Sequence, residues 1–182
     1  MRIAIMGAGG VGGFLGGKLA LAGGDVVFVA RGKHLEALRP HGLRIVGAEE
    51  FTVSPVTVSD QPQVLGEVDV VLFCVKLYDT ESAAAQLEPL LADHTVGVTL
   101  QNGVESLQRI GSVIGKERVL AGAAYFPASI KSAGEIMFKG SIPGKPLVEV
   151  AGTQDGASDR AEQLMQEVQK AEIAAELNTN AN

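Results

Sequence analysis

The chain has 182 residues, 46% hydrophobic and 20% charged, which fits one globular domain with room for a short extension. With 15 Lys+Arg against 21 Asp+Glu it carries a net charge of −6 and no basic run, which argues against nucleic-acid partners and anionic membrane surfaces. The single cysteine, Cys74, excludes an internal disulfide framework and a Cys-rich metal site. No apolar run reaches the ~18 residues of a membrane span. Glycines from Gly7 onward interrupt the N-terminus before the apolar segment of a signal peptide could form, so the expected location is the cytoplasm.

The predicted elements alternate between strand and helix. Met1–Met6 is a short apolar run without polar alternation, the pattern of a strand covered on both faces. Val11, Phe14, Leu15, Lys18, Leu19 and Ala22 recur at helical spacing and predict a helix over Gly9–Ala22, ended by Gly23–Gly24. Asp25–Ala30 is a second buried strand, which completes a βαβ unit. His34–Leu38 predicts a short helix ending near Pro40, and Leu43–Val46 and Phe51–Val58 a strand pair around Gly47–Glu50. Gln61–Gly66 is polar and reads as a loop or a weak helix. Asp69–Lys76 is the strongest strand of the chain. A helix over Asp79–Ala92, a strand over Thr95–Leu100, a helix over Val104–Ile110 and a strand over Val119–Phe126 follow.

Beyond Phe126, Gly134–Lys139 and Leu147–Ala151 predict a small hairpin around Ser141–Pro146. Ser158–Lys170 predicts an amphipathic helix with Ala161, Leu164, Met165 and Val168 on one face. The polar ending Asn178–Asn182 reads as a linker. The fold class is therefore α/β, a Rossmann-like, doubly wound and mainly parallel sheet with a small late β-hairpin. Residues 1–172 form the domain and 173–182 a linker.

Glycine is the compositional anomaly, at 23 of 182 residues, where the average share is about 7%. Gly7-Ala8-Gly9-Gly10-Val11-Gly12 matches G-x-G-x-x-G between a strand and a helix, the context of a dinucleotide-binding turn. Gly7 permits the tight turn, Gly9 lets a pyrophosphate approach the backbone, and Gly12 lets helix and strand pack closely. The phosphates would rest on free N–H groups at the helix N-terminus. The plain alternative is a turn required by packing alone. The second strand ends Val29-Ala30-Arg31, with no carboxylate for a ribose 2′-OH. Arg31 instead offers a planar cation suited to a 2′-phosphate, with Lys33 nearby, so the reading is NADP(H).

Lys76 and Asn102 follow strands at the carboxyl edge of the sheet, where ligands of such sheets bind. Lys76 could equally be an edge lysine that reaches solvent. Asn102 with Glu105 also resembles a helix-capping pair. Asp79 reads as an N-cap. Cys74 reads as buried and unreactive. His34, His41 and His94 share no metal-ligand spacing and read as surface or loop residues, and no metal site is expected. Glu49–Glu50 reads as a solvated turn, and Tyr125 and Phe126 as core.

The turn Gly7–Gly12, Ala30-Arg31-Gly32, Val75-Lys76, Leu100-Gln101-Asn102-Gly103 and the stretch from Gly122 to Ala128, in this order, resemble the ketopantoate reductase (2-dehydropantoate 2-reductase) family over nearly the whole chain. The resemblance implies NADPH-dependent reduction of a 2-oxo acid to a 2-hydroxy acid in pantothenate biosynthesis. It implies that Gly7, Ala8, Gly9, Gly10, Val11 and Gly12 cradle the pyrophosphate and that Arg31 holds the 2′-phosphate. Lys76 and Asn102 would line the cofactor beside an interdomain cleft, Asn102 would also touch substrate, and Ala128 would approach the cofactor through its backbone.

Members of the family are longer and carry a second, all-helical domain, whose first long helix bears the catalytic lysine. That domain is absent here, so no catalytic residue is assigned, and Lys170 does not take the role. The implied behaviour is that of a cofactor-binding half with little or no turnover alone. Its partners would be a small-molecule 2-oxo acid, bound together with the absent domain, and a second copy in a homodimer through apolar surface left uncovered. Two alternatives stand beside this reading: a stand-alone nucleotide-sensing Rossmann module, and a reductase of a different 2-oxo acid.

Overall fold

The computed structural model describes residues 1–101, 105–151 and 157–178. Six strands form a parallel sheet: β1 (Arg2–Met6), β2 (Asp25–Val29), β5 (Thr57–Ser59), β6 (Val68–Phe73), β7 (Leu91–Thr99) and β8 (Val119–Ala124). With β11 (Val148–Ala151) and β12 (Ala175–Asn178) the order across the sheet is β12-β11-β8-β7-β6-β1-β2-β5. β11 runs antiparallel to β8 and parallel to β12. The chain leaves β1 towards β2 on one side and returns through β6 on the other, so the winding reverses between β1 and β6. This is the doubly wound topology expected from the sequence.

Alternate residues of the inner strands enter two different cores. Ile3, Ile5, Val26, Phe28, Val70 and Leu72 join one apolar cluster, whereas Ala4, Met6, Val27, Val29, Val71 and Phe73 join the other. Both faces are buried, which is why these strands read as unbroken apolar runs. On the first face lie α1 (Gly10–Leu21), α2 (Gly32–His41) and α5 (Ala157–Lys170), and on the second α3 (Thr80–Ala84) and α4 (Glu105–Ile114). Ala161, Leu164, Met165 and Val168 of α5 are buried as expected.

A second sheet, in the order β4-β3-β10-β9, comprises β3 (Leu43–Gly47), β4 (Phe51–Val53), β9 (Ala128–Ser132) and β10 (Glu135–Phe138). It covers the side of α1 that the large sheet leaves free. Phe14 of α1 stacks on Phe138 with ring centroids 3.9 Å apart and meets Phe126 at 5.0 Å. Lys18, nearly buried, reaches Glu49 at 2.9 Å, so Glu49 is a partner of α1 and not a purely solvated turn residue.

Several boundaries differ from the sequence reading. α2 continues through Pro40 to His41, because a proline in a last turn forfeits only one helical bond, and the N–H of Gly42 closes the helix on Leu38. Phe51–Val58 is two strands, not one: β4 pairs with β3 and β5 with β2, with Pro55 between them. The region Asp79–Ala92 is not one helix: the short α3 is followed by a separate 3-10 turn over Glu88–Leu90, which Pro89 opens, and by the start of β7 at Leu91. The late hairpin exists, but its arms are β9 and β10. Leu147–Ala151 instead joins the large sheet beside β8. Residues 175–178, expected in a linker, form the edge strand β12.

α1 is pressed close to the large sheet at Gly16. A Cβ there would lie 2.5 Å from Phe28 Cε1 and 2.7 Å from Ile5 Cγ1, both in fully buried side chains. Gly16→Ala is therefore expected to lose ~1–3 kcal/mol of stability despite its better helix propensity. In a thermal melt that is a fall of roughly 2–10 °C for a chain of this size. Gly9→Ala, whose methyl would meet nothing within 4 Å, is expected to lose only the ~1 kcal/mol or less by which alanine is a poorer N-cap than glycine.

Candidate dinucleotide site

The carboxyl ends of four strands are laced together at the point where the winding reverses. Gly7 and Ala8 both donate their N–H to the Val29 carbonyl, at 3.1 and 3.3 Å. The Cys74 N–H donates to Met6 and that of Leu100 to Phe73. Gly7 has a φ of +99°, and a Cβ there would also meet Val75 Cγ1 at 2.8 Å. Only glycine satisfies both conditions.

The residues of the turn have separable roles. A Cβ on Gly12 would collide with the Gly7 carbonyl oxygen and approach Ile5 Cγ2 to 2.8 Å, as close helix–strand packing requires. A Cβ on Gly10 would collide with the carbonyl oxygen of Ala128. The backbone of Ala128 thus lies against the start of α1. Gly9 alone faces open space. The first turn of α1 has no side-chain cap and no acidic residue, so its N–H groups and the positive end of its dipole are left for an anion.

Arg31 lies just beyond β2 as the N-cap residue of α2, with its side chain 75% exposed. Its guanidinium donates to Asp79 Oδ2 at 2.7 Å. Asp79 therefore does not cap α3 through its side chain. Its backbone is helical rather than extended, which turns the carboxylate away from the N–H groups of that helix. β6 ends at Phe73, so Lys76 stands beyond it in an exposed loop and not at the strand terminus. Tyr78, 84% exposed, lies in the same loop. Asn102 lies outside the described residues, and with it the proposed capping pair, although Glu105 accepts a bond from Arg109 at 3.3 Å.

Two residues of the site escaped the sequence reading. The Gln101 amide donates to the Val75 carbonyl at 2.7 Å and meets the Thr80 hydroxyl at 3.0 Å, while Thr80 donates to Leu77 at 2.7 Å. Gln101 thereby ties the loop that carries Lys76 and Asp79 to the end of β7. Its position directly after an apolar strand at the sheet edge was the available signal. His34 is half-buried, not a free surface residue. Its Nε2 lies 2.8 Å from the Ala8 carbonyl, and its Nδ1 accepts the Gly134 N–H at 3.0 Å. Burial pulls the imidazole below its ordinary range, and the bond to Ala8 partly opposes that.

Cys74 is inert, its thiol pushed up to about 12 by burial. Among the described residues no group of His, Cys, Asp and Glu could hold a metal ion. Tyr125 is only half-buried and donates its hydroxyl to Glu149 at 3.0 Å, whereas Phe126 is in the core. His94 pairs with Asp69 at 2.9 Å on the surface. No helix among the described residues is long and apolar enough to cross a membrane.

The chain is 37% identical to the 2-dehydropantoate 2-reductase of Archaeoglobus fulgidus over 176 residues, which are 96% of this chain and 55% of that protein. It is 46% identical to the 2-dehydropantoate 2-reductase of Mesorhizobium japonicum over 105 residues, 57% of this chain and 32% of the relative. The fold superposes on the crystal structure of a PanE/ApbA family ketopantoate reductase from Ralstonia eutropha with a TM-score of 0.84 and 34% identity, covering 100% of this chain and 57% of that one. The chain thus spans about half the length of the relatives it matches. A sequence model described as ketopantoate reductase PanE/ApbA matches residues 3–146, and with the shared topology and glycine turn this makes the chain a member of the ketopantoate reductase family.

Proposed function

We propose that this chain is the NADP(H)-binding part of a reductase that converts a 2-oxo acid, 2-dehydropantoate, to the 2-hydroxy acid. The observation that carries the reading is the open position at Gly9, at the point where the winding reverses and beside the uncapped start of α1. Packing explains the other glycines of the motif, and a pyrophosphate against the backbone explains Gly9. The family match favours a reductase over a sensor module.

When bound, the nicotinamide supplies a hydride to the carbonyl carbon, and the alkoxide that develops needs a proton from an acid. The chain's own residues do the binding. The first-turn N–H groups of α1 receive the pyrophosphate, and Arg31 receives the 2′-phosphate through a charge-assisted contact. Lys76 and Asn102 complete the cofactor side of the cleft, with Asn102 also meeting the substrate, and Ala128 contributes backbone. No residue is assigned the acid. The extra length of the relatives allows for a helical domain that would supply the second wall of the cleft and the proton donor. Without it, turnover is expected to be slight.

Asp79 adds a condition. It neutralises Arg31, and a bound 2′-phosphate must displace it or share its partner. The pair is exposed on the arginine side and so contributes only ~0–1 kcal/mol, which a dianionic phosphate can outcompete.

Titration of the purified chain with NADPH and NADH tests the reading. NADPH is expected to bind more tightly, with the preference abolished by Arg31→Glu. An equal preference in the parent and that variant would sink the assignment of Arg31. Gly9→Ala is expected to weaken both dinucleotides at least about tenfold, or ~1.4 kcal/mol, while costing the fold no more than the ~1 kcal/mol of a poorer N-cap. Asp79→Asn is expected to tighten NADPH by roughly threefold to tenfold and to change NADH less. Weaker NADPH binding in that variant would mean that Asp79 holds Arg31 in place rather than competing for it.

A further inference from the structure

We propose that His34 is a positioning residue of the dinucleotide site, a neutral clamp that fixes the orientation of the Ala8–Gly9 peptide. The assignment rests on the reading of Gly7–Gly12 as the pyrophosphate turn. His34 sits in the first turn of α2 and spans two segments far from it in the chain. On one side is the Ala8 carbonyl, 2.8 Å from Nε2; on the other is the Gly134 N–H at the tip of the β9–β10 hairpin, 3.0 Å from Nδ1.

The chemistry of these partners fixes the tautomer. A backbone N–H can only donate, so Nδ1 is unprotonated and accepts. The ring proton of the neutral imidazole is then on Nε2 and donates to Ala8. A peptide unit is planar and trans, with its C=O and N–H pointing in opposite directions. Holding the Ala8 carbonyl on His34 therefore aims the Gly9 N–H away from α2. Gly9 is the one glycine of the turn with open space at its Cβ position.

The hairpin end of the clamp is itself well seated. Gly134 has a φ of +78°, a Cβ there would lie 3.2 Å from Ala37 Cβ on α2, and its carbonyl accepts the Arg44 N–H at 2.9 Å. Three elements thus meet at one imidazole: the turn, the first helix turn after β2, and the small sheet.

Protonation of Nδ1 turns the acceptor into a donor facing a donor, which opens the hairpin side of the clamp. Burial favours the neutral ring. Charged side chains on the surrounding elements are Arg31, Lys33, Glu36 and Arg39 at or on α2, the last paired with Asp60 beyond β5. Arg44 lies on β3, and Lys131 and Glu135 on the hairpin arms pair with each other at 3.1 Å. The glycine turn has no charged residue. The clamp is closed at neutral and alkaline pH and opens as the pH falls through the depressed imidazole range.

Two neutral variants separate the two ends of the clamp. His34→Gln places an amide N–H near the Nε2 position, keeps the bond to Ala8 and does not titrate. His34→Asn places an amide oxygen near Nδ1, keeps the bond to Gly134 and releases Ala8. In calorimetric titrations with NADPH at pH 8, His34→Gln is expected to bind within about threefold of the parent and His34→Asn about tenfold more weakly, the scale of one lost hydrogen bond. As the pH falls through the depressed imidazole range the parent is expected to lose affinity more steeply than His34→Gln. The residual slope of His34→Gln reports the titration of the 2′-phosphate, near pH ~6. Equal weakening of the two variants, or parallel pH curves for the parent and His34→Gln, would overturn the role of His34 alone. Should His34→Asn not fold, the parallel-or-divergent comparison of those two pH curves still decides. A parent chain that binds neither NADPH nor NADH at pH 8 would refute the reading of the glycine turn and this assignment with it.

Discussion

The structure depends on one constraint: helix α1 is packed against backbone or large side chains on two sides at once. The large sheet presses it at Gly12 and Gly16, and the small sheet presses it at Gly10, Gly13 and Gly17. There Cβ atoms would meet Ala128, Ile136 and Leu43 respectively. Four of these glycines, Gly12, Gly13, Gly16 and Gly17, lie inside the helix, at a propensity cost of ~1 kcal/mol each relative to alanine. Such a segment does not hold a helix on its own. Tertiary packing holds it. Burial on nearly every side is also why α1 shows no polar face except at Lys18, whose ammonium escapes to Glu49.

The geometry of the site follows from that sandwich. Because α1 is fixed against β1, its N-terminus opens where β1 and β6 part, and the first-turn N–H groups face the carboxyl edge of the sheet. The surrounding loops are then tied to it by polar side chains whose partners are mostly backbone atoms. Gln101 holds the loop after β6, and His34 holds the glycine turn to the hairpin. The small sheet is thus more than a cover for apolar surface. Through Ala128 and Gly134 it fixes the turn from the side opposite the large sheet, so the turn is built before any ligand arrives. Pre-organisation of this kind lowers the entropy that binding must overcome.

What the sequence revealed tracks what was buried locally. β1, β2 and β6 were legible because burial on both faces leaves an apolar run bounded by turn residues. The βαβ unit and its glycine turn were legible because strand, turn and helix are contiguous. The hairpin assignment failed for a different reason. β10 pairs with β9 nearby but also with β3, some ninety positions earlier, and β11 pairs with β8 and β12. No local pattern distinguishes these partners when each strand has only four to six residues. β12 alternates between half-buried and exposed positions and carries Glu176 and Asn178, which is also the texture of a linker. His34 was unreadable because both its partners are main-chain groups, and a side-chain pattern cannot reveal them. The reading of Arg31 rested on the absence of a carboxylate at the end of β2, yet a carboxylate does stand beside it. Asp79 arrives from the loop after β6, forty-eight residues away in sequence.

The glycines of the motif are glycine for different reasons. Gly7 is required by its positive φ and by Val75, Gly12 by the Gly7 carbonyl, and Gly10 by Ala128. Each would be glycine in a protein of this packing that bound nothing. Gly9 differs. Its backbone, with φ −74°, is open to any residue, and a methyl group would meet no atom of the protein. Glycine suits this position as the N-cap of α1, but neither a positive φ nor internal packing demands it. A group that reaches the backbone at the start of α1, as the proposed function has it, would supply that demand from outside the chain. Of the glycines in the six-residue motif, Gly9 is thus the one that neither steric room nor a positive φ requires.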